Sequence, residues 1–276
     1  MSFNDVVIRG GLGNQLFCLF HAYKILLNED NVSLNLASYN LSKRNDRNFI
    51  LENLYPSLKR EFKIRNGINA FFLFIYALFI EKMLMSNSIE RLPGDKTICV
   101  KYWSNHFLHS GYFQKVTNSE LDIRALKLLQ KNLYPYIKSK KNNCLAIHIR
   151  RGDYLNKRHS NHGLIKEKDI YKEARKFLSK KKYSGITIYS DSPDKINVDI
   201  FRNLHKKIFL DEGGNDFEVF KRMCNHSGLI ASNSSFSLWA GILGSIKDFS
   251  IPNFWMKNVK SNVIGFDYLH RYECKI

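Results

Sequence analysis

The run His148-Ile149-Arg150-Arg151-Gly152-Asp153-Tyr154 sets an imidazole, two guanidiniums and a carboxylate close together in sequence. Two arginines at the end of a strand can clamp a diphosphate through paired N–H donors and stabilise its charge as it leaves. Asp153 can orient an arginine, bind a hydroxyl or take a proton. The plainer reading is an Arg–Asp pair that ties down a loop. In an extended strand Leu145, Ile147 and Ile149 share one face and Ala146, His148 and Arg150 the other, so His148 and Arg150 point the same way.

Three further turns suit an anion or a sugar. Gly10-Gly11-Leu12-Gly13-Asn14-Gln15 follows a short apolar run and opens a helical period, where bare backbone and a helix N-terminus favour negative charge. Neither the dinucleotide spacing of three glycines nor a G-K-[ST] ending is present. Asn14 and Gln15 add amides that can donate to phosphate or to a sugar hydroxyl. Ser232-Asn233-Ser234-Ser235-Phe236-Ser237 serves equally as a helix cap and as an anion seat. Asp191, in Tyr189-Ser190-Asp191-Ser192, can accept from a ribose hydroxyl or a purine N–H edge, or can simply form the turn before Pro193.

No metal is expected. The nine histidines include no HExxH, the pairs His106/His109 and His159/His162 lack acidic or thiol companions nearby in sequence, and no D-x-D occurs. A chain that handles diphosphate without a cation needs arginines instead.

The elements that must position these turns can be read from periodicity. The chain has 276 residues, is 44% hydrophobic and carries a formal charge of +18, which excludes disorder and a disulfide miniprotein and favours anionic partners. Residues 127–182 hold 17 basic and 4 acidic side chains, most of them assigned to solvated helix faces. Five scattered cysteines without a C-x-x-C pair, and no export signal, point to reduced thiols and a cytoplasmic location. Val6–Ile8 reads as strand, then glycine turn, then helix; Leu34–Leu36 as a second strand; Asn40–Asn48 as loop; Thr97–Val100 as another strand; and Ser119 caps a helix reaching about Ile137. Ala70–Ile80 is apolar without a break and is expected to be a buried helix. The alternative is an aromatic helix lying in the membrane surface beside Lys59, Arg60, Lys63 and Arg65.

The basic stretch 138–143 marks a boundary between domains 1–140 and 141–276. Beyond it, strands (144–150, 186–189, 228–231, 249–251) alternate with helices (167–181, 216–226, 236–243), which calls for a parallel sheet covered on both faces. Two such α/β halves, Rossmann-like and facing a central cleft, place ligands in the turns after strands.

Taken together, G-G-L-G-N-Q-L-F at Gly10–Phe17, G-Y-F-Q at Gly111–Gln114, His148–Tyr154, Tyr189–Asp191 and Ser232–Ile242 resemble the α-1,2-fucosyltransferase family, in matching order. The resemblance implies a GT-B-like architecture with an N-terminal acceptor-side domain and a C-terminal GDP-sugar-binding domain. It also implies GDP-fucose as donor, no metal or cofactor, and transfer with inversion to the 2-hydroxyl of a galactose-type sugar. The acceptor would be an oligosaccharide carried on lipid during surface polysaccharide assembly, with peripheral membrane contact.

By motif match, Arg150 and His148 contact the donor diphosphate, while Arg151 and Asp153 hold the loop or the donor, Asp153 being the first candidate for the base. Gly13 and Asn14 reach across the cleft to phosphate and fucose, Ser234, Ser235 and Phe236 seat phosphate, and Asp191 reads the nucleoside. Leu238-Trp239-Ala240-Gly241 replaces the family's usual two tryptophans and two alanines, and Ser192 stands where a second Asp is common. Another GDP-linked deoxyhexose, or another acceptor, is the runner-up. A nucleic-acid-binding protein fits the charge, but no basic motif interleaved with aromatics appears, so no nucleic-acid partner is expected. A membrane-surface scaffold fits Ala70–Ile80.

Overall fold

Val6 and Val7 close β1 (Phe3–Val7), and the period after the glycines becomes α1 (Leu12–Leu26). The structure is a computed structural model that describes residues 2–28, 31–41, 48–84, 97–155, 161–257, 259–261, 266 and 269–274. Most of the expected loop Asn40–Asn48, and His159, lie outside the described residues. Leu16, Phe17, Leu19, Phe20 and Tyr23 are all buried, because α1 is apolar on nearly every side.

The chain continues through β2 (Asn31–Asn35), α2 (Ala37–Leu41), α3 (Leu51–Leu54), α4 (Leu58–Glu61), β3 (Lys63–Arg65), α5 (Ile68–Leu84), β4 (Ile98–Trp103), β5 (His106–Ser110) and α6 (Glu120–Ile137). The sheet runs β3-β2-β1-β5-β4. Its first four strands are parallel, and β4 pairs antiparallel with β5. The sequence reading expected a parallel sheet with one strand near Thr97–Val100. The antiparallel edge arises because Ser104 and Asn105 alone link β4 to β5, too few residues for a parallel crossover.

The second expectation to change concerns Ala70–Ile80, which forms a helix that is not buried all round. Ala70, Phe74 and Ala77 pack on Val7, Ile98 and Leu108, but the opposite face of α5 is exposed.

The chain divides into compact units Met1–Leu133 and Tyr134–Ile276, so the boundary falls inside α6. The second unit contains β6 (Asn142–Ile149), α7 (Glu167–Lys180), β7 (Gly185–Ser190), β8 (Ile208–Leu210), α8 (Asp216–Cys224), β9 (His226–Ile230), α9 (Ser235–Leu243), β10 (Asp248–Pro252), β11 (Phe254–Met256), β12 (Val259–Lys260) and β13 (His270–Tyr272). Its main sheet runs β13-β10-β9-β6-β7-β8, and all its pairings are parallel. Leu145, Ile147 and Ile149 of β6 join Ile170 and Ala174 of α7 and Ile186 and Ile188 of β7 in one core, as the alternation predicts. The chain passes from β6 through α7 to β7 on one side, whereas β9 lies on the other side of β6. The strand order therefore reverses beside β6, the point at which open parallel sheets bind ligands outside the carboxyl ends of their strands.

Candidate active site

Three adjacent strands of the second sheet, β9, β6 and β7, end in the three turns that the sequence singled out in this unit. Arg150 follows β6 directly. Its Nη2 donates to Asp153 Oδ1 at 2.8 Å and its Nη1 lies 3.0 Å from Asp191 Oδ2. The guanidinium sits 5.5 Å from the centre of the Tyr154 ring. Burial works against its charge, but Asp191 and then Asp153 outweigh that cost and raise its pKa above the ordinary arginine value. The side chain keeps 27% of its surface open, so a fixed cation is presented at the sheet's reversal point.

Arg151 does something different. Its Nη1 donates to the Arg150 carbonyl at 2.9 Å, and its Nη2 to the Ile165 carbonyl at 3.0 Å and to Glu167 at 2.5 Å. It is buried and holds the segment leading into α7. Of the two readings open for Arg151, the geometry matches the loop-holding one. With its guanidinium spent on these partners, Arg151 does not form one clamp with Arg150.

Asp191 is likewise occupied within the protein. Its Oδ1 accepts the Arg151 backbone N–H at 2.8 Å while Oδ2 meets Arg150. Gly152 makes this approach possible, since a Cβ there would collide with the Asp191 carboxylate. Expected to read a nucleoside, Asp191 in this structure joins the end of β7 to the arginine turn after β6.

His148 is buried, and its Nδ1 lies 2.7 Å from the Ser232 hydroxyl. Burial first, and the Arg150 charge second, push its pKa down to about 3, so the ring is neutral at physiological pH and is suited to hydrogen bonding rather than to proton uptake. Phe236 lies 6.1 Å from the His148 ring and meets Phe220 edge-on at 5.3 Å. Ser234 occupies the N-cap of α9 yet makes no side-chain capping bond, and Ser235 opens the helix partly exposed.

The sequence reading passed over Asn233. Its side-chain amide donates to the carbonyls of His162 (2.6 Å), Gly163 (3.3 Å) and Trp255 (3.2 Å), while its backbone carbonyl accepts from the Tyr154 hydroxyl at 2.8 Å. Asn233 thus ties the turn after β9 to the turn after β6. A buried Asn among serines carries no signal of that kind, because its partners are remote in sequence.

In the first unit, Gly10 adopts φ +80°, and a Cβ there would press on Asn14 and the Tyr112 ring. Gln15, read as a ligand donor, is buried and fully used: Nε2 donates to the carbonyls of Gly10 (3.0 Å) and Asn48 (2.8 Å), and Oε1 accepts from the Ile50 N–H (3.0 Å). Tyr39 also donates to the Gly10 carbonyl at 3.0 Å. Gln114 donates to Asn14 Oδ1 at 3.0 Å, a physical reason for G-Y-F-Q and G-G-L-G-N-Q to occur together. Gly13 is buried in the first turn of α1. Arg9, which interrupts the apolar run before the glycines, pairs with buried Glu81 at 3.1 Å and covers the Tyr112 ring at 4.8 Å. A single Glu in the apolar sequence of α5 was the available signal.

The profile of glycosyl transferase family 11 matches residues 4–262, nearly the whole chain. The chain belongs to that family. This family-11 glycosyltransferase is 23% identical to an O-antigen biosynthesis glycosyltransferase, WbnK, of Escherichia coli, over 94% of the chain and 97% of the relative. It is 26% identical to an alpha-1,2-colitosyltransferase of Escherichia coli, over 92% of the chain and 93% of the relative. The solved heptosyltransferase WaaC of E. coli, in a structure with ADP, is similar in fold at a TM-score of 0.50 with 6% identity, covering 99% of this chain and 93% of that one. The fold is that of the GT-B glycosyltransferases, with two α/β units each built on a largely parallel sheet.

Proposed function

We propose that this family-11 enzyme transfers L-fucose, with inversion, from GDP-fucose to the 2-hydroxyl of a galactose-type residue on a lipid-linked oligosaccharide during surface polysaccharide assembly. The observation that carries the proposal is Arg150, held by Asp153 and Asp191 at the reversal point of the second sheet and partly open. Breaking the sugar–phosphate bond leaves negative charge on the diphosphate, and a guanidinium fixed beforehand stabilises that charge without reorganisation. Neutral His148 lies in the field of Arg150, Ser234 and Ser235 open α9 after the neighbouring strand β9 with hydroxyls that can donate to phosphate, and Phe236 lies 6.1 Å from the His148 ring. The reaction runs without a metal ion or cofactor. Asp153, already bonded to Arg150, is the first candidate to accept the acceptor's proton and also positions the arginine. Donor contacts by Gly13 and Asn14, and nucleoside contact by Asp191, rest on the family resemblance alone.

The test is to incubate the protein with a panel of GDP-sugars and β-galactosides, with and without EDTA, and to identify the product linkage by NMR. The expected result is an α-1,2-fucoside that forms equally with EDTA, and loss of about a hundredfold or more in turnover for Arg150→Ala. No product from GDP-fucose on any galactoside, or near wild-type turnover for Arg150→Ala, defeats the proposal. The colitosyltransferase relative supports a second reading, transfer of another GDP-linked deoxyhexose, which the same panel detects.

A further inference from the structure

We propose that the outward face of α5, with Trp103 beside it, is a docking surface for an anionic lipid bilayer. This goes beyond the proposed reaction and does not depend on it. A helix apolar on all sides is ordinarily buried on all sides. In α5 only the stripe of Ala70, Phe74 and Ala77 is covered, and the opposite stripe of Ile68, Phe72, Ile75, Tyr76, Phe79 and Met83 is exposed, with Ile68 at 71% and Phe72 at 62%. Phe72 and Trp103 line one groove together with Arg65, Asn69, Tyr102 and His106, so the apolar surface continues off the helix. Exposed apolar faces of this extent mark interaction sites.

Charge selects the occupant. Lys82 on α5 and Lys63 on the neighbouring strand β3 are exposed, while the acid of α5, Glu81, is buried against Arg9 and Ser110. A two-fold dimer through this face would bring the same lysines of two copies together, a repulsive arrangement, whereas anionic headgroups pair with them. Large aromatic side chains suit the boundary between headgroup and acyl chain. Among the described residues no helix is long and apolar enough to cross a membrane, so the expected mode is a helix lying in the interface.

Trp103 supplies the readout. It is 72% exposed, whereas Trp239 and Trp255 are 0% and 6% exposed, so a change in tryptophan emission on vesicle addition reports the Trp103 environment. The full-length protein is mixed with phosphatidylglycerol-containing vesicles and with pure phosphatidylcholine vesicles, and flotation and emission are measured. The expected result is co-flotation with the anionic vesicles only, a blue shift that Trp103→Phe abolishes without loss of flotation, and weaker binding at high salt. Phe72→Asp/Phe79→Asp is expected to reduce partitioning roughly tenfold or more. Lys63→Glu/Lys82→Glu, which alters only exposed side chains, is expected to reduce it too, and both variants should keep the wild-type circular dichroism spectrum. Wild-type protein that stays with the soluble fraction overturns the proposal. So does flotation that the Phe72/Phe79 variant retains without a Trp103 blue shift, since basic residues elsewhere would then carry the binding. A concentration-dependent dimer that this variant abolishes, without vesicle binding, also overturns it and assigns the face to a second copy.

Discussion

At the scale of single residues, neighbours decide what an identical side chain does. Arg150 and Arg151 are adjacent and chemically the same, yet one is presented by two carboxylates and the other is spent on Ile165, Glu167 and its own neighbour's carbonyl. Arg151→Lys is therefore expected to lower stability, because an ammonium cannot reproduce the fork to two carbonyls and a carboxylate; a urea titration measures it. Asp191→Ala removes both the ion pair to Arg150 and the acceptor for the Arg151 N–H. It is expected to cut kcat by roughly tenfold to a hundredfold through misplacement of Arg150, an effect that steady-state kinetics will show. Asp153→Asn separates the roles of that residue. A lost rate whose pH profile keeps its acid limb points to positioning, whereas loss of that limb points to proton transfer. The motif around Arg150 was legible because its types and spacing are local. The separate duties of the two arginines were not, because Glu167 and Asp191 reach them only in the folded chain.

At the scale of elements, the turns are rigid because buried amides pin them. Asn233 donates to three carbonyls, so Asn233→Ala leaves buried acceptors without their donor. A loss of roughly 2 kcal/mol or more is expected, with activity falling as the turn after β6 loosens; denaturant melts and kinetics on the same variant check both. The strands and helices of the second unit were readable from alternation and period. β8, β11, β12 and β13, of two or three residues each, were not, since so short a segment is strand only through its neighbours. β5 was missed for a related reason: its sequence, His-Phe-Leu-His-Ser, joins the sheet by hydrogen bonds to β1 and β4.

At the scale of the whole molecule, both units bury neutral histidines, and this sets a pH dependence. Burial first pushes the pKa of His21 down to about 3, helped by His109, and that of His226 to about 4; His148 lies at about 3. Unfolded histidine takes its proton near pH 6.5, so below that value the unfolded chain binds protons that the folded chain refuses. Stability should thus be intact above about pH 6.5 and fall as pH drops toward 4, by up to about 1.4 kcal/mol per pH unit for each such histidine. Urea unfolding at pH 7 and pH 5 checks the sign, and His21→Gln should flatten the slope. By itself the sequence determined the two-unit α/β plan, the order of the anion-compatible turns and the family, because strand period, glycine turns and short motifs are local properties. Only the tertiary structure decided which guanidinium is presented, that Gln15 and Asn233 are clamps, and that one face of an apolar helix lies open. Those outcomes depend on which distant carbonyl, carboxylate or core side chain arrives at each position, and folding alone brings them there.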